Sequence, residues 1–169
     1  AKYHAITIVM RVYEKISEKL VDIVMLDKLT LDIVDYAKRG NASGKSRNEL
    51  SREMVHVSFT SNLIYYLADF SVHLAILLYG YYKYVGEKRK IKEAAESSED
   101  DELHYGSLTI SFLRKTTLLA ISRGVELGLG SIGGGVGTKI SPGLGTLAGF
   151  NMGDSFAIGL TDQFVSMSP

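Results

Sequence analysis

Residues 124–153 read GVELGLGSIGGGVGTKISPGLGTLAGFNMG. Glycine recurs there at intervals of four: Gly145, Gly149 and Gly153 form one series, and Gly124 with Gly128, Gly130 with Gly134, and Gly133 with Gly137 form shorter ones. Residues four apart on a helix stack on one face, so each series makes a groove without side chains that a second backbone can enter. Water gives little reason to build such a helix, since each interior glycine costs about 1 kcal/mol relative to alanine. Lipid does, because helices associate there by close packing rather than by burying apolar area. Between the glycines stand Leu, Ile, Val, Ala and Phe rather than the Ser and Gln of a flexible linker. The stretch therefore predicts an all-α membrane protein ending in a glycine-zipper transmembrane hairpin. Its helices are 116–137 and 142–165, antiparallel because only Lys139-Ile140-Ser141-Pro142-Gly143 joins them. The expected packing glycines are Gly124, Gly128, Gly130, Gly134, Gly137, Gly145, Gly149 and Gly153.

Upstream, Leu63 to Tyr82 is an apolar run of about 20 residues, the length that crosses a hydrocarbon core. Tyr79, Tyr81, Tyr82 and Tyr84 cluster at its end and Lys83, Lys88, Arg89 and Lys90 follow, the order expected of a helix leaving a bilayer. Between this tyrosine-rich span and the hairpin, residues 86–106 are basic and then acidic, a solvated connection that is partly helical at most. Its cations suit lipid phosphates, and Glu99, Asp100, Asp101 and Glu102 suit a basic partner. Residues 6–39 show apolar spacings of three and four (Val9, Tyr13, Ile16, Leu20, Ile23, Leu26) and read as one amphipathic helix. Gly40 is its expected C-cap, and Ser46 or Asn48 caps the next helix across the polar turn 40–52. The chain thus divides into an amphipathic helix and basic linker (1–52), a candidate transmembrane helix (53–85), a charged connector (86–115) and the hairpin (116–169). Loop cations favour the middle linker on the inner side of the membrane, and the basic stretch Lys38–Arg52 opposes this.

Nineteen basic and 19 acidic residues among 169 give a formal net charge of +0, so no bulk electrostatic case for nucleic acid exists. With no cysteine, neither disulfides nor thiolate metal sites form. His4, His56, His73 and His104 are scattered, so no metal is expected. No Gly-x-Ser-x-Gly elbow is present. Gly44-Lys45-Ser46 lacks the glycine five residues earlier that a phosphate loop needs, that position being Arg39. Gly128, Gly130 and Gly133 match a dinucleotide fingerprint in spacing, but no buried strand precedes them. The chain is read as no enzyme and as needing no cofactor. Asn41-Ala42-Ser43 matches a glycosylation acceptor, a tripeptide common by chance.

Ionisable residues inside apolar spans are costly and mark contacts or ion paths. Asp69 and His73 lie one helical turn apart and can share a hydrogen bond or a proton. Arg123 and Glu126, three apart, form an expected ion pair, and Asp154 is placed to reach across the hairpin. Asp162 stands nearer the chain end, toward water. The glycine spacing of 116–165 resembles that of small glycine-zipper membrane proteins, such as translocase subunits and the subunits of mitochondrial cristae junctions. The leading expectation is a non-catalytic integral membrane subunit that packs into and stabilises a larger complex, with other membrane subunits, lipids or further copies of itself as partners. The inner membrane of an organelle, the mitochondrion, is its expected location. The alternatives are a small oligomeric channel or transporter, and a membrane-inserting pore-forming or remodelling protein.

Overall fold

The computed structural model describes residues 2–95 and 101–166. All regular structure among them is helical: α1 Lys2–Leu20, α2 Ile23–Leu29, α3 Ile33–Ala42, α4 Arg47–Ala95, α5 Asp101–Ile140 and α6 Leu144–Ser166. Helices α4 and α5 run antiparallel along a shared length, from Arg47 beside Lys139 and Ile140 to Tyr81 beside Phe112. Helix α6 folds back on α5 and also meets α3, and α1–α3 pack on α4; α6 reaches α4 through side chains, Phe150 clustering with Tyr66 and Leu63 and Asp154 accepting from Tyr66.

The amphipathic segment is not one helix. Asp22 and Asp32 break it, because each carboxylate caps a new N-terminus: Asp22 accepts from Ile23 N, and Asp32 from Val34 N and Asp35 N. An aspartate that satisfies these orphan donors makes restarting the helix cheap. The three short helices then lie along α4. Ile6 packs with Ala68 and Val72, and Tyr13 hydroxyl bonds Ser71 at 2.8 Å. Ala37 packs with Leu50 and Met54. Gly40 is not the C-cap expected of it. It lies inside α3, buried, where a Cβ would collide with the Leu50 side chain. The positive φ falls four residues later, at Gly44 (78°). Ser46 opens α4 by accepting from Glu49 N at 3.2 Å.

Helix α4 does not end at its tyrosines but continues through Ala95, and α5 starts at Asp101, so most of the connector is helical. The basic and acidic residues there are good helix formers, no proline interrupts them, and charge alone does not stop a helix. The acidic run Glu99–Glu102 and Asp162 lie outside the residues with described side chains.

Between α5 and α6, Gly143 takes φ 93°, which only glycine adopts without strain. Thr138 and Thr146, both fully buried, share a hydroxyl contact of 2.7 Å across this turn, and Gly143 N donates to Thr146 Oγ1 at 3.1 Å. Arg47 closes the same end, donating to the carbonyls of Lys139 at 3.2 Å and Ile140 at 2.7 Å. These are terminal carbonyls of α5 with no partner inside the helix.

Among the described residues one helix, over Arg47–Lys88 of α4, is long and apolar enough to cross a membrane. Glycine adds little apolar surface, and α5 also carries Arg114, Lys115, Arg123, Glu126 and Lys139. The residues that let α5 and α6 approach one another therefore dilute their hydropathy.

Candidate functional site

The base of the α5–α6 hairpin has no room for side chains between the helices. A Cβ at Gly149 would fall on the Gly133 carbonyl, one at Gly145 on that of Gly137, and one at Gly153 on that of Leu129. The reverse holds for Gly133 against Gly149 and Gly137 against Gly145. Gly130 and Gly134 serve a different neighbour: the Phe150 ring lies 3.1 Å from a Cβ at Gly130, and Ser58 Oγ lies 3.0 Å from one at Gly134. Gly135, which the spacing of four does not pick out, faces α4, where Ser51 Oγ donates to its carbonyl at 2.7 Å. Gly124 and Gly128 stand apart, since a Cβ on either meets nothing within 4 Å. The close approach thus ends at Gly153 and Leu129. Past it a cavity of about 610 Å³ opens among α1, α4, α5 and α6.

Asp69, His73, Arg123, Glu126 and Asp154 all line this cavity. Local spacing sets half of the arrangement. His73 Nδ1 lies 2.8 Å from the Asp69 carbonyl and 3.2 Å from Asp69 Oδ2, and both of these accept, so Nδ1 carries the proton. Arg123 NH1 pairs with Glu126 Oε2 one turn on, and Glu126 Oε1 accepts from Ser122 Oγ at 2.8 Å. The bundle supplies the other half. Arg123 Nε reaches Asp69 Oδ2 on α4 at 2.7 Å, so one guanidinium bridges two carboxylates. Tyr66 hydroxyl donates to Asp154 Oδ1 on α6. Asp69 and Glu126 are both buried, and removing the guanidinium between them would leave two uncompensated charges in a poorly solvated site.

Tyr66 and Ser122 were not singled out from sequence. Tyr66 is three residues before Asp69 and so shares its helical face, and Ser122 is four before Glu126. Either spacing is a signal, though a weak one among the many serines and tyrosines. The arrangement can hold a cation, relay a proton or clamp three helices. Among the described residues no three His, Cys, Asp or Glu side chains are grouped as a metal ion requires.

No protein-family model matches the chain, and no significant match to it was found among curated proteins or solved structures.

Proposed function

We propose that the chain is a non-catalytic integral membrane subunit whose glycine-zipper hairpin packs into a larger membrane complex. The observation that carries this reading is the outer surface of the bundle. Ile132, Val136, Ile140, Leu144, Leu147, Met152 and Phe156 are exposed along the hairpin, Ile140 at 75% and Met152 at 74%. Monomeric soluble proteins rarely leave a contiguous apolar surface of this kind, whereas lipid or neighbouring subunits cover it. The hairpin keeps its rigidity without large side chains because its backbones meet, which leaves its large apolar residues for the outside. Helix α4 supplies a segment long enough to cross the bilayer.

The test is extraction of the source membrane in mild detergent followed by separation of intact complexes. Migration with a particle much larger than the 18.5 kDa chain and its micelle is the expected result. Recovery without detergent would overturn the membrane premise. The likeness of the glycine pattern to subunits of mitochondrial inner-membrane complexes makes that membrane the first to fractionate.

A second reading, a small channel or transporter, is favoured by the convergence of Asp69, His73, Arg123, Glu126 and Asp154 on one cavity. It requires that liposomes holding the chain conduct ions and that Asp69→Asn abolish the flux while assembly persists. Unchanged flux in that variant removes it.

A further inference from the structure

The turn between α5 and α6 is more basic in space than in the chain. By sequence the connector 138–143 holds one cation, Lys139. In the fold the end of α3 and the start of α4 come to it. The Lys38 side chain lies along Gly143, its Cγ 3.0 Å and its Cε 3.1 Å from where a Cβ would stand. Arg47 donates to the carbonyls of Lys139 and Ile140. Lys38, Arg47 and Lys139 are all exposed, and among the described residues none of them forms an ion pair. Lys45, by contrast, is held by Glu53 at 2.7 Å. The neighbouring carboxylates, Asp35 one turn before Lys38 and Glu49 two residues after Arg47, are exposed as well. With Arg39 added, this end of the molecule keeps an excess of positive charge.

Large apolar residues stand beside these cations. Ile140 and Leu144, one on each side of the turn, are both exposed. Cations and bare aliphatic side chains on one surface match a layer with phosphate outside and hydrocarbon beneath, because both the charge and the apolar area then find partners. A nucleic acid or an acidic peptide would answer the charge and leave the aliphatic side chains in water. The level of the turn fits the same partner. Helix α5 rises roughly 42 Å from Phe112 to Ile140, and a bilayer with its headgroup regions is about 40–45 Å thick. Phe112 packs on Tyr81, in the tyrosine cluster expected at the opposite face of the membrane. The turn therefore falls at headgroup level rather than within the span.

We infer that the α5–α6 turn is a docking surface for anionic phospholipid headgroups, with Lys38, Arg47 and Lys139 at the phosphates and Ile140 and Leu144 at the start of the acyl layer. The inference rests on the membrane reading above and adds to it a lipid class and the end of the molecule that meets it.

The chain has no tryptophan, so a single introduced one reports its own surroundings. Leu144→Trp places it at the turn. Phe156→Trp places it at an exposed position of α6, roughly 18 Å farther along the helix. Each full-length variant is reconstituted into vesicles of phosphatidylcholine and phosphatidylglycerol in equal parts, with one lipid or the other brominated, and fluorescence quenching is read. At Leu144→Trp, phosphatidylglycerol is expected to take the neighbouring lipid positions at least about fivefold more readily than phosphatidylcholine, the worth of one cation near an anionic surface. Adding Lys38→Gln and Lys139→Gln should bring that ratio toward one with helical content unchanged, and molar salt should do the same. Phe156→Trp should be quenched by both lipids without preference. Equal quenching by the two lipids at Leu144→Trp, or the same preference at Phe156→Trp, overturns the inference. Quenching of Phe156→Trp alone also overturns it, because the turn then lies outside the bilayer while the membrane reading stands. Quenching of neither tryptophan overturns both.

Discussion

Glycines at one spacing do different work at different positions. At Gly149 an added Cβ meets the Gly133 carbonyl, so only separation of the helices relieves it. Gly149→Leu should therefore destabilise the hairpin by about 3 kcal/mol or more, since overpacking that backbone cannot absorb lies at the costly end of such changes. Gly128→Ala should act oppositely. With nothing within 4 Å, the change leaves only the gain in helix propensity, about 0.5–1 kcal/mol. Thermal unfolding of the two variants in one detergent, followed by circular dichroism, checks both signs. If Gly128→Ala lowers the midpoint as Gly149→Leu does, the open space around Gly128 is wrong. Arg123 is the third sensitive residue. Arg123→Gln leaves Asp69 and Glu126 buried without a countercharge, at a cost of about 3–5 kcal/mol. Adding Glu126→Gln should return part of that loss, because the two sites share one network. Strict additivity in denaturant unfolding would mean that the pair is not coupled.

At the level of elements, the N-terminal third shows how a period can outrun the helix that carries it. The spacing of Val9, Tyr13, Ile16, Leu20, Ile23 and Leu26 continues past Leu20, although α1 ends there and α2 starts at Ile23. Only the first part of that period faces α4: Val9 and Tyr13 pack against the Ile6, Ala68 and Val72 cluster, whereas Ile16, Leu20 and Ile23 are exposed. The break is visible only in Asp22 and Asp32, polar residues that read as surface positions until their carboxylates are seen to accept backbone N–H groups. Asp32→Ala should cost about 1 kcal/mol, the usual worth of an N-cap. The loss should appear as faster amide hydrogen exchange within Ile33–Ala42, with α5 and α6 unaffected. Exchange unchanged in α3 would show that packing on Leu50 and Met54, rather than the cap, holds it.

Across the whole molecule, two kinds of contact are segregated by size of residue. Small residues form the α5–α6 seam and the face of α5 toward Ser51, Val55 and Ser58, while large apolar residues stand outside. Large residues are also buried, Leu50, Met54, Ile64, Tyr66, Leu127 and Phe150 among them, so what covers the exposed ones is the main experimental question. Carbonate washing of source membranes should leave the chain in the pellet, and release into the wash would favour peripheral attachment. The cavity sits where the small-residue seam gives out, so the packing that joins α5 to α6 also fixes where the ion pairs lie.

The helical class, the antiparallel hairpin at Pro142-Gly143 and the pairings Asp69–His73 and Arg123–Glu126 were legible in the chain. Each depends on spacings within one helix or on a short connector, and helical geometry converts such spacings directly into contacts. Tertiary structure alone decided that Asp69 meets Arg123, that Tyr66 meets Asp154, and that Gly124 and Gly128 face open space while Gly133 and Gly137 touch a neighbouring backbone. Those contacts join different helices, so they depend on how far each helix is rotated and how the helices are set against one another. That is set by the packing of all the elements together and leaves no periodic trace in any one of them.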